Sequence, residues 1–142
     1  MKKIILAAFL LTVAFTACSR KKTYSWQELP ETQVRFGKGG GIVGRETFFV
    51  LLENGQLFNS TGAELPKVKA KAAKKCFKAI QDAGLMQMTP PQPGNIYTFI
   101  ELPDGSSWKR WAWSPGRSAE GDVLKSLHQQ LMELTQTVDN SQ

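Results

Sequence analysis

The chain has 142 residues and a formal net charge of +6, with 18 basic side chains against 12 acidic ones. That length holds one ordinary domain, and so modest a positive excess is what solubility alone requires; it does not point to a nucleic-acid partner. Two cysteines and one histidine are too few for a disulfide-stapled scaffold or for the usual zinc sites.

Met1-Lys2-Lys3 and the apolar run over residues 4–15 form a secretory leader, too short to cross a bilayer as a stable helix. The run ends at Phe15-Thr16-Ala17-Cys18, which resembles the bacterial lipobox. That resemblance implies a signal peptide over residues 1–17, acylation of Cys18 with palmitate-type chains, and a mature protein moored to a membrane. The expected location is the bacterial cell envelope, on a periplasm-facing leaflet. With Cys18 acylated, Cys76 is left as a lone thiol and the domain must stand on its core. Residues 18–32 read as a lipidated N-terminus and tether, with Arg20, Lys21 and Lys22 close to the anchor.

A single domain is expected over residues 33–138, with a polar tail at 139–142. Gln33-Val34-Arg35-Phe36 alternates polar with apolar and predicts a short strand; the glycine-rich residues 37–44 then read as a loop. Residues 45–52 are rich in β-branched and aromatic side chains, and Asn54-Gly55 predicts a hairpin to residues 56–58. Pro66 opens and Gly84 closes a predicted helix over residues 66–83. Ala73, Cys76, Phe77, Ile80 and Ala83 gather on one side of it; Lys67, Lys71, Lys74, Lys75 and Lys78 gather on the other. A proline-rich loop at 89–95 precedes two strands, 96–102 and 107–113, joined at Pro103-Asp104-Gly105. Val123, Leu124, Leu127, Leu131 and Leu134 repeat at helical spacing and predict a closing helix. The pattern predicts an α+β fold: an antiparallel sheet of four to five strands, made of two hairpins, with two amphipathic helices packed on one face.

Candidate chemistry is thin. Gly39-x-Gly41-x-x-Gly44 spells a dinucleotide fingerprint, but a strand follows where the pyrophosphate needs a helix N-terminus, so no nucleotide or other cofactor is expected. Cys76 sits on an apolar helix face and His128 has no patterned acidic partner, so neither a catalytic pair nor a metal site is expected. Glu46, Glu53, Glu101 and Asp104 lie on or beside strands; a small envelope hydrolase using Glu46 or Glu101 is the alternative reading. Trp108 points to one face of its strand and Trp111 with Trp113 to the other. Gly39, Gly40, Gly41, Ile42, Val43 and Gly44, together with Trp111 and Trp113, are therefore read as a partner surface.

From Val34 to Thr135 the layout resembles small lipoproteins of Bacteroidetes-type bacteria. Their glycine-rich loop, Asn-Gly hairpin and strand entry look like Gly39-Gly40-Gly41, Asn54-Gly55 and Pro93-Gly94-Asn95-Ile96-Tyr97. More distantly, the chain is similar to emfourin, a small inhibitor of thermolysin-like metalloproteases. The Gly-Gly-Phe-x-Gly that follows the first strand of that family corresponds to Gly40-Gly41-Ile42-Val43-Gly44, with Ile42 in the aromatic position. Residues and resemblance together lead to a non-catalytic, membrane-anchored binding module. Its expected partners are the membrane, through the lipid, and an envelope peptidase or a glycan, with no nucleic acid.

Overall fold

The computed structural model describes residues 22–115 and 120–139; the leader, Cys18 and residues 140–142 of the tail lie outside the described residues. The chain is α+β. Six strands, β1 (Gln33–Gly40), β2 (Thr47–Leu52), β3 (Leu57–Asn59), β4 (Glu64–Leu65), β5 (Ile96–Asp104) and β6 (Ser107–Trp113), form one antiparallel sheet in the order β4-β3-β2-β1-β5-β6. Two helices, α1 (Ala70–Asp82) and α2 (Glu120–Asp139), pack on one of its faces. No described helix is long and apolar enough to cross a membrane.

Alternation along the strands decides which side chains the helices cover. Val34 and Phe36 of β1, Leu51 of β2, Ile100 and Leu102 of β5, and Trp111 and Trp113 of β6 all face the helices. They pack there against Ala73, Cys76 and Ile80 of α1 and Leu124, Leu127 and Leu131 of α2. Cys76 is buried, and that burial pushes its thiol pKa up, as expected of inert core filling. Val123, expected on the apolar stripe of α2, is exposed instead.

The opposite face carries a second, smaller core. Val50, Leu52 and Phe58 lie there under Tyr24, Trp26 and Leu29, which come from the segment expected to be tether. Tyr24 is fixed by both of its backbone groups. Its N–H donates to Gln56 Oε1 at 2.9 Å, and its carbonyl accepts from Gln56 Nε2 at 3.0 Å. The folded body therefore begins before Gln33, because residues 22–32 cover apolar surface that the helices do not reach.

Two boundaries move. The glycine run was read as a loop from residue 37, yet β1 continues to Gly40 and pairs on both sides, Lys38 with Thr47 and Gly39 with Tyr97. The predicted helix start at Pro66 shifts to Ala70, because the preceding chain is extended where Leu65 pairs with Leu57. At the other end Gly84 takes a left-handed φ of 62° and terminates the helix as predicted.

The molecule has two unlike ends. At one, the β1–β2 turn projects beside Ile96, the first residue of β5, which pairs with Gly40. At the other lies the β2–β3 turn, where the Asn54 side chain donates to the Lys22 carbonyl at 2.8 Å. β2 alone separates these ends by about 20 Å, six residues at the usual rise of a strand.

Candidate functional site

The six-residue glycine segment and the two tryptophans do not meet on one surface. Trp111 is fully buried and Trp113 nearly so, both beneath the helices. Their shared strand face is the core face, which corrects the expectation that they help form a partner surface. Gly39 and Gly40 are strand residues, so the projecting part is reduced to Gly41, Ile42, Val43 and Gly44.

That turn is built by backbone conformations that favour glycine. Gly40, Gly41 and Gly44 have φ of 91°, 80° and 60°, and the Gly44 N–H donates to the Gly41 carbonyl at 3.1 Å. The Gly41 N–H donates to the Asn95 carbonyl at 3.0 Å, which ties the turn to the proline-rich loop. A side chain at Gly40 would run into that same carbonyl. Two branched aliphatic residues are held out at the tip: Ile42 is 105% and Val43 73% exposed, with Ile96 61% exposed beside them. Of the four large hydrophobic side chains exposed among the described residues, three are at this tip.

A second constellation lies on the helix-free face and brings together Glu46 and Glu101, the carboxylates of the alternative hydrolase reading, beside Trp108. Arg110 of β6 is its hub. Its Nε donates to Glu101 Oε1 at 2.6 Å, while Nη1 and Nη2 donate to Glu46 Oε1 and Oε2 at 2.5 and 3.2 Å. Its guanidinium lies 4.2 Å over the Phe99 ring. The Tyr97 hydroxyl donates to Glu46 Oε1 at 2.6 Å. These side chains lean across β1 where it has none of its own: a Cβ at Gly39 would come within 2.7 Å of Glu46 Cγ and 2.9 Å of the Tyr97 hydroxyl. Next to the hub, Arg35 stacks 3.7 Å from the Trp108 ring centroid, and its buried Nε has no hydrogen-bond partner among the described residues.

The electrostatics follow from these bonds. Hydrogen bonding to Arg110 is the main reason Glu46 is held below the usual carboxylate range; burial opposes it, and Tyr97 adds to the lowering. Arg110 is held firmly in its charged form by the same bond to Glu46, and Tyr97 is raised because its hydroxyl proton is engaged with that carboxylate. Glu46, locked in its ionised form, is a poor general acid; it gives both carboxylate oxygens, and Glu101 gives Oε1, to one guanidinium. His128 is elsewhere, under the sheet with its ring edge-on to Phe36 and Trp113, and burial lowers its pKa. Among the described residues no hydrogen bond joins it to Cys76, and no three His, Cys, Asp or Glu side chains converge as metal ligands. What the arrangement can do chemically is present a rigid charged and aromatic face, and an apolar tip at one end of it. No family model matches the chain, and no curated protein shows significant similarity to it.

Proposed function

We propose that the chain is a non-catalytic binding module of a bacterial envelope, acylated at Cys18, that presents its β1–β2 turn to a protein partner. A peptidase whose cleft receives the turn is the sharpest form of this reading. The observation that carries it is the tip itself. Ile42 and Val43 are extended into solvent on a glycine-flanked turn, at the end of the sheet remote from the point where the chain enters it. Burying such a side chain contributes roughly 1.5–3 kcal/mol, so exposing two side by side is a standing cost unless a partner covers them. The competing hydrolase reading has less support, since Glu46 and Glu101 are both engaged by Arg110. A glycan platform on Trp111 and Trp113 loses its surface to their burial.

The test places a photo-crosslinking residue at position 42 in cells, with the exposed Ser106 at the opposite end as control. A discrete adduct from position 42 and none from 106 is expected. Ile42→Asp with Val43→Asp should abolish capture of that partner while the melting temperature stays within a degree or two, because neither side chain packs in a core. No adduct at position 42, or a double variant that binds as well as wild type, removes the reading. Anchoring is checked separately. The mature protein should carry the mass of acyl chains, and Cys18→Ser should leave an unacylated precursor.

A further inference from the structure

We propose that the lysine-bearing side of α1 is a membrane-facing surface that lies against an anionic phospholipid bilayer. Three placements support it. First, α1 crosses the helix-covered face of the sheet near the end opposite the Ile42-Val43 tip. At its start the Val68 N–H donates to the Gly55 carbonyl at 2.9 Å, and Ala70 and Lys74 border one groove with Lys22 and Asn54. Towards its finish, Phe77 and Ile80 border another groove with Gln33 and Leu102. Gln33 pairs with Leu52, the last residue of β2, so both grooves lie at the entry end. The tip thus lies at the other end of the sheet from both grooves.

Second, the outward side of this segment is a field of unpaired cations. Lys67, Lys69, Lys71, Lys74 and Lys75 are all exposed, and among the described residues none has an ion pair within 4 Å, whereas Lys78 is paired with Asp82 at 2.6 Å. Among the described residues Glu53 is the one carboxylate bordering the groove that Lys22 and Lys74 share. The start of α1 adds to this field. It has no acidic residue in its first turn and no side-chain cap, so the positive end of the helix dipole is left uncompensated beside Lys67, Lys69 and Lys71. For an isolated helix that is an unfavourable arrangement, and it favours an external anion.

Third, the chain arrives here. Lys22 is fastened by Asn54, and Cys18 is four residues upstream. Four residues span at most about 14 Å however they are arranged. An acyl chain on Cys18 would therefore hold Lys22, and with it the groove it shares with Ala70 and Lys74, on the side of the molecule nearest the headgroups, where attraction to anionic lipid is felt. The inference rests on the lipid-anchor reading only for this direction of approach. The α1 surface itself is defined by the fold.

The experiment uses the mature chain from residue 18 with Cys18→Ser, which begins upstream of every side chain in both cores, so acylation plays no part in the result. It is sedimented with phosphatidylcholine vesicles, with and without phosphatidylglycerol. Binding only to vesicles containing phosphatidylglycerol is expected, weakening as salt is raised. Lys71→Gln, Lys74→Gln and Lys75→Gln together should lower the partition coefficient on the order of a hundredfold, at about fivefold per lysine. Glutamine is a good helix former, so the α-helical signal should be unchanged. Lys38→Gln with Arg45→Gln, at the far end, should leave binding intact. The proposal is overturned if binding ignores phosphatidylglycerol, or if the far-end variant loses as much as the α1 variant. It is overturned equally if the α1 variant binds like wild type, which would assign the attraction to Arg20, Lys21 and Lys22 alone. Absence of acyl mass on the native protein would remove the anchor reading while leaving this measurement standing.

Discussion

Trp111→Ala is expected to lower the folding free energy by about 3–5 kcal/mol, measured by urea denaturation, with a fall in melting temperature of roughly 10–20 °C. Trp111 is fully buried at the helix face of the edge strand β6, paired with Ile100 of β5. Its indole Nε1 donates to the Met88 carbonyl at 3.2 Å, so the ring also fastens the segment that follows α1. Lys109 works on the same segment: its Nζ donates to the Met86 carbonyl at 2.5 Å and lies 5.3 Å from the Trp111 ring centroid. Truncation to alanine thus opens a void between sheet and connection and leaves the Met88 carbonyl without its donor. Trp111→Phe keeps most of the apolar volume and should cost only about 1–2 kcal/mol. Any loss of binding in Trp111→Ala should then track the unfolded fraction. A variant that melts like wild type but no longer binds would return Trp111 to a surface role.

The tryptophans show where a sequence stops informing. Period-two alternation separates Trp108 from Trp111 and Trp113, and the structure agrees. Alternation says nothing about which face the helices choose. That choice depends on Val34, Phe36, Leu51 and Ile100 sharing a face with Trp111, and so on register across β2-β1-β5-β6. The hairpin signals at Asn54-Gly55 and Pro103-Asp104-Gly105 were legible because the turn chemistry is local. The second of them already carries half of the candidate site: with Asp104 opposite Ser107, Glu101 must fall opposite Arg110. The other half was not legible. Glu46 and Arg110 are 64 residues apart, and they meet only because β1 lies between β2 and β5 in the sheet.

Glycine misled in a specific way. Residues 37–40 lack strand propensity, yet they form the end of a central strand. Strand propensity largely measures how well a side chain packs on its neighbours. At Gly37 and Gly39 the space beside the strand is already taken by Phe48, Glu46 and Tyr97, so glycine is what fits. Tyr24, Trp26 and Leu29 escaped notice for the opposite reason. They cover Val50, Leu52 and Phe58 from an irregular segment, with no period to detect.

Arg110→Met is expected to cost about 2–3 kcal/mol at neutral pH, below the 3–5 kcal/mol typical of a broken buried ion pair because water reaches part of the site. The Arg110 side chain is 35% exposed, whereas the Glu101 side chain it serves is only 11% exposed. Methionine retains apolar contact with Phe99, so the loss is mainly that of two carboxylates left without a shared cation. Acid should narrow the gap. Glu46 is held below its ordinary value of 4.5, so its bond to Arg110 contributes stability above about that pH. The contribution fades as pH falls through the lowered value in the folded state, because the native carboxylate must then take up a proton. Wild type should therefore lose stability on acidification below about pH 4.5 more steeply than Arg110→Met does. Adding Glu46→Gln and Glu101→Gln to Arg110→Met should recover part of the deficit, since both carboxylates are then neutral while Arg35 loses the opposing charge of Glu101. If Arg110→Met is as stable as wild type at neutral pH, the hub is a surface decoration. If the triple variant recovers nothing, the deficit comes from the lost stacking of Arg110 on Phe99 rather than from charge.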